Sequence, residues 1–481
     1  MLAAALPGLL PSSAQAVVVR VPNVPEAGPV FAGNQVLWAD GRADGGIDLK
    51  TAPRNGGRPR LVQSFPGKHH YLADTHVAAS DQRWAVQIVG KYLLPPVSYV
   101  QPSWNASSYA GPIGSPLAAL YPGCPNVAAP GSPIGSLAVD GSTIGFTAPP
   151  CLTDRPGGGQ PGSTRVEDFS VIPPKTTALS PGASAIRLAG RYAAWGEGTA
   201  YTGTLLVFDL ATKSAALSLA PSPQFANSST GGGLQSLSLQ SDGTMAFSYL
   251  AGSRERLAWV SIREPRIHPV ALQDSGLFSV KLAGGLVALV SRPRYVLDQG
   301  VDSGQVIPDD NVLTVRDLSG HLIRTVAKHV SDAQQHDRMD FDGRQVAFVT
   351  RGCDAAQIHV DDITSPASHT QRPRRCRLRL KGPPRLVQNG GLKLKLDCRG
   401  FTGTCALAYA KATARVHGRP ITIAEGHPVS DATRPVLDVT DQAAGPVYGR
   451  HGHLRLTITA VERDTTGSHA QRRRGNFTLR H

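Results

Sequence analysis

The sequence predicts an all-β protein: a seven-bladed β-propeller followed by an immunoglobulin-like β-sandwich. Three observations carry that expectation. One short phrase recurs seven times within the first 365 residues, a second phrase follows several of its copies, and the charge balance changes abruptly near residue 370.

The repeated phrase is a turn-forming pair, a few residues, then a small apolar strand. Its copies read AGNQVLWA (32–39), SDQRWAVQI (80–88), VDGSTIGFTA (139–148), LAGRYAAWG (188–196), SDGTMAFSY (241–249), LAGGLVALV (282–290) and FDGRQVAFV (341–349). Repetition at a period of tens of residues marks units that cannot bury their faces alone and must stack on neighbours. The last strong apolar residues of the copies are Trp38, Val86, Phe146, Trp195, Phe247, Leu289 and Phe348, separated by 48, 60, 49, 52, 42 and 59 residues. A propeller blade is a four-stranded antiparallel sheet with a period of about 40 to 50 residues. The longer steps fit insertions rich in Gly, Ser and Pro. Six or eight blades are the alternatives if the second repeat is misassigned.

The second phrase reads LLVFDLATKS (205–214) and LTVRDLSGHL (313–322), with weaker forms VEDFSVIPPKT (166–176) and IHVDDITSP (358–366). An alternating apolar strand running into a polar turn predicts the next strand and its hairpin. No such phrase is visible in the second repeat, where Pro, Ser and Gly dominate residues 92–120. Closing a ring of sheets leaves only short, protected edges. The one strand-like segment ahead of the first repeat, Val17-Val18-Val19-Arg20-Val21, is therefore expected to pair into the last blade, beside residues 341–362.

Apolar strand, D-G turn and later V-x-D-L strand together resemble the TolB-like and WD40-like propeller repeats of bacterial exported proteins, over residues 17–365. The G-H and W-D dipeptides of eukaryotic WD40 repeats are absent, so the resemblance implies a fold and no adaptor role.

Residues 1–16, MLAAALPGLLPSSAQA, join a short apolar stretch to Ala14-Gln15-Ala16, the small-x-small form cut by signal peptidase, without a basic n-region. A truncated signal peptide is the expectation. No other apolar run is long enough for a membrane-spanning helix. Six cysteines, an even number, suit a disulfide framework in an exported protein. Their connectivity stays open. Sequence proximity favours Cys398 with Cys405, Cys124 with Cys151, and Cys353 with Cys376. None lies in a C-x-x-C, which weighs against zinc and redox sites.

A linker at 366–375 leads to a second domain at 376–481. Residues 371–481 hold 21 Lys plus Arg against 7 Asp plus Glu, whereas residues 1–370 hold 28 of each. The whole basic excess thus belongs to the last part of the chain. Strand candidates there are LKLKLDC (392–398), CALAYAKATA (405–414), PITIAEG (420–426), VLDVT (436–440), HLRLTITAVERD (453–464) and NFTLRH (476–481). Period-two alternation sets one apolar face against one basic or hydroxylic face. The closing run VERDTTGSHAQRRRGNFTLRH, with Asp464 and Gly467 at the turn, resembles the last hairpin of bacterial Ig-like or fibronectin-like modules. That resemblance implies adhesion, spacing or display.

Lys393, Lys395, Arg455, Arg472, Arg473 and Arg474 are candidates to line one surface and attract an anionic polymer of the envelope. Nucleic acid is disfavoured as a partner because interleaved aromatics for base stacking are missing. In the propeller the long segments 92–136, 149–165 and 291–311 are the expected recognition loops. Tyr92, Tyr99, Trp104, Tyr109 and Tyr121 in the first are candidates to stack on a glycan or anchor a protein; the same rings would equally pin a loop to the blade below. No G-x-S-x-G elbow is present, and no cofactor, metal or catalytic residue is assigned. His69-His70 with His76, His451 with His453, Asp309-Asp310-Asn311 and Asp361-Asp362 read first as surface histidines and solvated turns. The expectation is an exported, non-catalytic binding or scaffold protein of the cell envelope. The alternative is a propeller hydrolase or lyase whose channel gathers dispersed Asp, Glu and His.

Overall fold

In the computed structural model the chain is a β-propeller with a further β-sheet region, and no helix occurs among the described residues. The described residues are 17–479 without 22–24, 43–45, 67–69, 93–103, 122–135, 149–162, 180–182, 198–203, 220–233, 252–253, 273–275, 293–310, 329, 331–338, 352–355, 366–376, 381–384, 387–390, 395, 400–406, 417, 427–435, 440–453 and 463–471.

Strand β1 (Val17–Val21) precedes six four-stranded sheets made of consecutive strands. The first holds β2 (Ala27–Ala32), β3 (Gln35–Gly41), β4 (Ile47–Pro53) and β5 (Arg60–Phe65). The second holds β6 (His70–Ala79), β7 (Arg83–Tyr92), β8 (Trp104–Pro112) and β9 (Ala118–Tyr121). Next come β10 (Leu137–Asp140), β11 (Thr143–Ala148), β12 (Ser163–Asp168) and β13 (Lys175–Ala178). The fourth holds β14 (Ala183–Ala189), β15 (Tyr192–Glu197), β16 (Thr204–Asp209) and β17 (Ser214–Leu219). The fifth is β18 (Leu234–Leu239), β19 (Thr244–Ala251), β20 (Arg254–Ser261) and β21 (His268–Val270). The sixth is β22 (Gly276–Ala283), β23 (Leu286–Arg292), β24 (Val312–Asp317) and β25 (Leu322–Lys328). A seventh sheet takes β26 (Met339–Phe341), β27 (Gln345–Arg351) and β28 (Ala356–Asp362), and its fourth strand is β1.

First strands of successive sheets lie side by side in chain order, and β26 returns to β2, so the sheets form a ring. The expected closure is found: Val17 stands opposite Val360, Val19 opposite Ile358 and Val21 opposite Ala356. Val19 and Val21 are buried with Phe31, Val36 and Trp38 of the first sheet.

The repeated phrase is the second strand of every sheet. That strand has a hydrogen-bonded neighbour on each edge and a neighbouring sheet on each face, so both of its faces read as apolar. Trp38, Val86, Phe146, Phe247 and Leu289 are fully buried and Trp195 is only 4% exposed. The turn before it is two residues long at Gly33-Asn34, Gly141-Ser142, Gly190-Arg191 and Gly284-Gly285. Its leading glycine adopts φ of +54° to +59°, the left-handed geometry that matches strand twist in tight hairpins.

The second phrase is the third strand with its turn. Asp209 accepts the Ala211 N–H at 2.9 Å, Asp317 the Ser319 N–H at 2.9 Å, and Asp362 the Thr364 N–H at 2.9 Å. A side-chain oxygen bonding the backbone two residues ahead is the reason for Asp at this place. In the second sheet the third strand lacks this signal and is nonetheless present. Residues 104–112, read from the sequence as insertion, pair with Arg83–Lys91 along the whole strand. Small residues (Ala106, Ser107, Ser108, Ala110) carry little β-propensity, and the ladder and packing supply what propensity does not.

Beyond residue 376 lie β29 (Arg377–Leu380), β30 (Arg385–Leu386), β31 (Gly391–Lys393), β32 (Leu396–Arg399), β33 (Leu407–Val416), β34 (Arg419–Gly426), β35 (Val436–Val439), β36 (Leu454–Glu462) and β37 (Arg472–Leu479). β29 pairs with β32, and the others form one sheet in the order β30-β31-β35-β34-β33-β36-β37. Two expectations change. The LKLKLDC run splits between two sheets, because β31 pairs with β35 while β32 pairs with β29. The last strand begins at Arg472, so the Arg triplet belongs to a strand and not to the turn before it.

Candidate functional site

A propeller recognises ligands at its channel or at one of its two ends, so inner strands and loops decide what it can do. Polar side chains of the inner strands are largely engaged with the next sheet. Ser136 Oγ accepts the Ile186 N–H at 2.5 Å, Ser236 Oγ the Val280 N–H at 3.1 Å, and Ser238 Oγ the Leu282 N–H at 2.8 Å. Asp340 Oδ2 accepts the Phe31 N–H at 2.8 Å, which joins the last sheet to the first. Arg187 Nε donates to Leu237 O at 2.8 Å. Inner-strand amides have no partner strand on their channel side, and an unpaired buried amide is costly. The serine and aspartate side chains meet that need. Among the described residues no group of three or more His, Cys, Asp and Glu could hold a metal ion.

The two ends of the ring differ. At one end the short turns, between first and second strands and, at Arg54, between third and fourth, touch round the circle. Ser80 Oγ donates to Gly141 O at 2.8 Å, Asp140 Oδ2 accepts the Gly190 N–H at 2.5 Å, and Arg54 Nη1 donates to Asp342 Oδ2 at 2.5 Å. Added Cβ atoms at Gly190 and Gly33 would lie 3.2 Å from Ser241 and 3.6 Å from Asp81. Connections at this end, including those between third and fourth strands, are no longer than six residues. Antiparallel pairing sends every other connection to the opposite end. The strand ends there flank 93–103, 122–136, 149–162, 220–233 and 293–311, segments of eleven to nineteen residues. Of the three insertions singled out in the sequence, 149–165 and 291–311 fall mainly at this end, whereas 92–136 contains β8 and β9 and contributes only 93–103 and 122–136 to it.

The candidate aromatics divide. Tyr92 is the last residue of β7, Trp104 the first of β8 and Tyr121 the last of β9, while Tyr99 lies outside the described residues. Tyr109 is half-buried in β8, its ring 4.7 Å from that of Phe65 in the first sheet. It anchors the second sheet to the first and does not belong to a loop. Of the histidines and acids, His76 is a half-buried residue of β6. Asp362 bonds Thr364 and Arg344, and the Asn311 amide donates to Val330 O at 3.2 Å. Asp309 and Asp310 lie outside the described residues. So do all the cysteines except Cys398, whose backbone is opposite Leu378.

Among the basic candidates, Lys393 is exposed on β31. Arg455 stands opposite Thr478, Arg474 opposite Thr459, Arg473 opposite Ala460 and Arg472 opposite Val461. Lys395 lies outside the described residues.

The carboxylates fall in two classes. Asp168 is held below its ordinary range by the Ser170 N–H and hydroxyl, and Asp317 by the Ser319 hydroxyl with the His321 and Ser319 N–H groups. At Asp209 and Asp362 burial pushes upward, but hydrogen bonds and the Arg191 and Arg344 guanidinium groups together hold each carboxyl low. Asp140 moves the other way, because burial raises it more than the Gly190 N–H lowers it. A lowered carboxyl contributes stability that is full above the unfolded value, ordinarily 3.8, and fades as pH falls through the folded value. A raised one does the reverse. Asp168→Asn should therefore lose less unfolding temperature than the parent between about pH 6 and about pH 3. Asp140→Asn should lose more. Thermal melts at the two pH values check both signs.

No protein-family model and no curated protein sequence matches the chain. Solved structures match at low identity. A prolyl endopeptidase aligns at 11% identity and TM-score 0.43 over 81% of this chain and 54% of its own. The Dos1 propeller aligns at 11% identity and TM-score 0.40, over 72% of this chain and 96% of that one. The β-propeller domain of the trilobed protease from Pyrococcus furiosus aligns at 10% identity and TM-score 0.36, over 69% and 92%. The chain thus spans about half the length of the prolyl endopeptidase it matches.

Proposed function

We propose that this protein is an exported, non-catalytic recognition module of the cell envelope, binding a protein or glycan at the long-segment end of the propeller. One observation carries the reading: the asymmetry of the ring. Tight, mutually touching turns occupy one end, and the segments of eleven to nineteen residues join strands at the other. Loops on a rigid scaffold are where recognition is built. The inner-strand side chains Ser236, Ser238, Asp340 and Arg187, with Ser136 just ahead of β10, hold neighbouring sheets together, which leaves them committed to structure.

Export is supported by Ala14-Gln15-Ala16 and by the even cysteine count. Cys124 lies in the segment between β9 and β10 and Cys151 in the segment between β11 and β12.

The test compares three full-length proteins on envelope glycan and protein fractions: the parent, a variant with 93–103 and 149–162 replaced by short Gly-Ser connections, and a variant altered at the turns 210–213 and 318–321. Binding lost only in the first variant, with unfolding temperature retained, supports the reading. Turnover of an ester, lactone or peptide panel by the parent, abolished by inner-strand Asp or His substitutions, would replace it with the hydrolase alternative.

A further inference from the structure

The sheet formed by β30, β31 and β33–β37 is a two-sided surface of unusual charge. Leu392, Leu437, Ala424, Ala412, Leu456 and Ile458 on one register parity are buried, each at no more than 1% exposure. The other parity is polar. Lys411 pairs with both Glu425 and Thr459, Glu425 with Asp438, and Lys393 sits two positions from Asp438's partner Gly391. Arg385, Lys393 and Arg415 of this parity are exposed, and Lys411 makes an ion pair with Glu425 at 3.7 Å. By register Arg455, Arg472 and Arg474 share it, whereas Arg473 falls with the buried set. Thr413, Thr422, Thr457 and Thr459 fill the positions between.

Among the described residues this parity therefore carries seven cations and two carboxylates, spread over a sheet whose seven strands span about 29 Å at about 4.8 Å per strand. One contact is informative. Arg385 stands directly opposite Lys393, and like charges at such positions destabilise a sheet. A folding-only surface gains nothing from that pair; an anion laid across it removes the repulsion.

We propose that this face binds a linear phosphate polymer lengthwise across the strands. Guanidinium and ammonium groups bond phosphate oxygens. The breadth of the charge favours a chain over a single small anion. Among the described residues Tyr409 is the one aromatic at a register position of this parity, and a single ring is a poor platform for stacking successive bases. The binding is independent of the loop end of the propeller, and its failure leaves that reading untouched.

The experiment titrates the full-length protein with long-chain inorganic polyphosphate at several salt concentrations, beside tripolyphosphate, single-stranded DNA and polygalacturonate. Polyphosphate should bind tightest, with affinity falling steeply as salt rises. Lys393→Glu with Arg415→Glu should weaken it at least about tenfold and reduce the salt slope by about 1–2. The same charge change at exposed propeller positions, Arg263→Glu with Arg266→Glu, should leave it within about twofold. Lys393→Glu alone gives a second readout: it replaces a like-charge pair by an ion pair, so unfolding temperature should hold or rise while binding falls. Equal loss in both double variants overturns the assignment to this face. DNA binding as tight as polyphosphate assigns the face to nucleic acid instead, and no polyphosphate binding at about 50 mM salt ends the proposal.

Discussion

Deletion of residues 1–21 is expected to abolish cooperative folding of the propeller, an effect far larger than five residues suggest. Val19 and Val21 are each 1% exposed, and burying a valine is worth roughly 1.5–3 kcal/mol. β28 also loses its whole outer ladder, from Val17–Val360 to Val21–Ala356. Each bond there contributes about 0.5–1.5 kcal/mol. Together these approach the roughly 5–15 kcal/mol that holds an ordinary domain folded. The valines also pack on Phe31, Val36 and Trp38, so the damage reaches the first sheet and opens the ring where it closes. Circular dichroism melts would show a broad, low transition for the truncated protein, and a synthetic peptide of residues 17–21 fused at the opposite terminus by a flexible linker should restore part of it. A sharp transition within a few degrees of the parent would mean that the ring closes without β1.

Phe247→Ala should destabilise the protein by about 3–5 kcal/mol, the range for removing a large ring from a core. Phe247 is fully buried in β19, 5.8 Å from the ring of Tyr249. Around it pack Ala194, Val207, Leu237 and Val260 from the fourth and fifth sheets. Those side chains belong to two sheets whose spacing is set by backbone pairing, so they close over the cavity only in part. Phe247→Leu keeps most of the volume and should cost less than half as much. Ile172 offers the contrast, since it is 97% exposed in the turn after β12, and Ile172→Ala should fall within about 0.5 kcal/mol of the parent. Urea midpoints at unchanged slope measure all three. If Phe247→Ala costs no more than Ile172→Ala, the seven second strands do not form the core.

The strands were legible in the sequence where their environment repeats. Every second strand meets a sheet on each face, so each carries apolar residues on both parities, and Trp38, Phe146, Phe247 and Phe348 appear at blade spacing. Asp209, Asp317 and Asp362 mark third strands because an Asx turn is a local interaction, two residues in reach. Val17–Val21 could be placed in the last sheet because a ring needs a partner for its open edge.

The candidate site was less readable. Tyr109 looked like a loop aromatic since Ser, Gly and Pro surround it; its partner Phe65 lies more than forty residues away, and nothing local announces the contact. Ser136, Ser236, Ser238 and Asp340 are ordinary polar residues until the next sheet presents an amide to each. In the same way the basic excess after residue 370 was visible as composition, but only strand register could separate Arg473 from Arg472 and Arg474, or set Arg385 against Lys393. The amino-acid sequence alone determined the repeat, the buried strand of each unit, the closing strand and the charge of the last region, because all of these are properties of short stretches or of sums. The tertiary structure decided which polar groups lock sheet to sheet, that the long segments join strands at one end, and which cations share a face. Those depend on pairing between residues far apart in the chain, and a one-residue shift of register would reverse each of them.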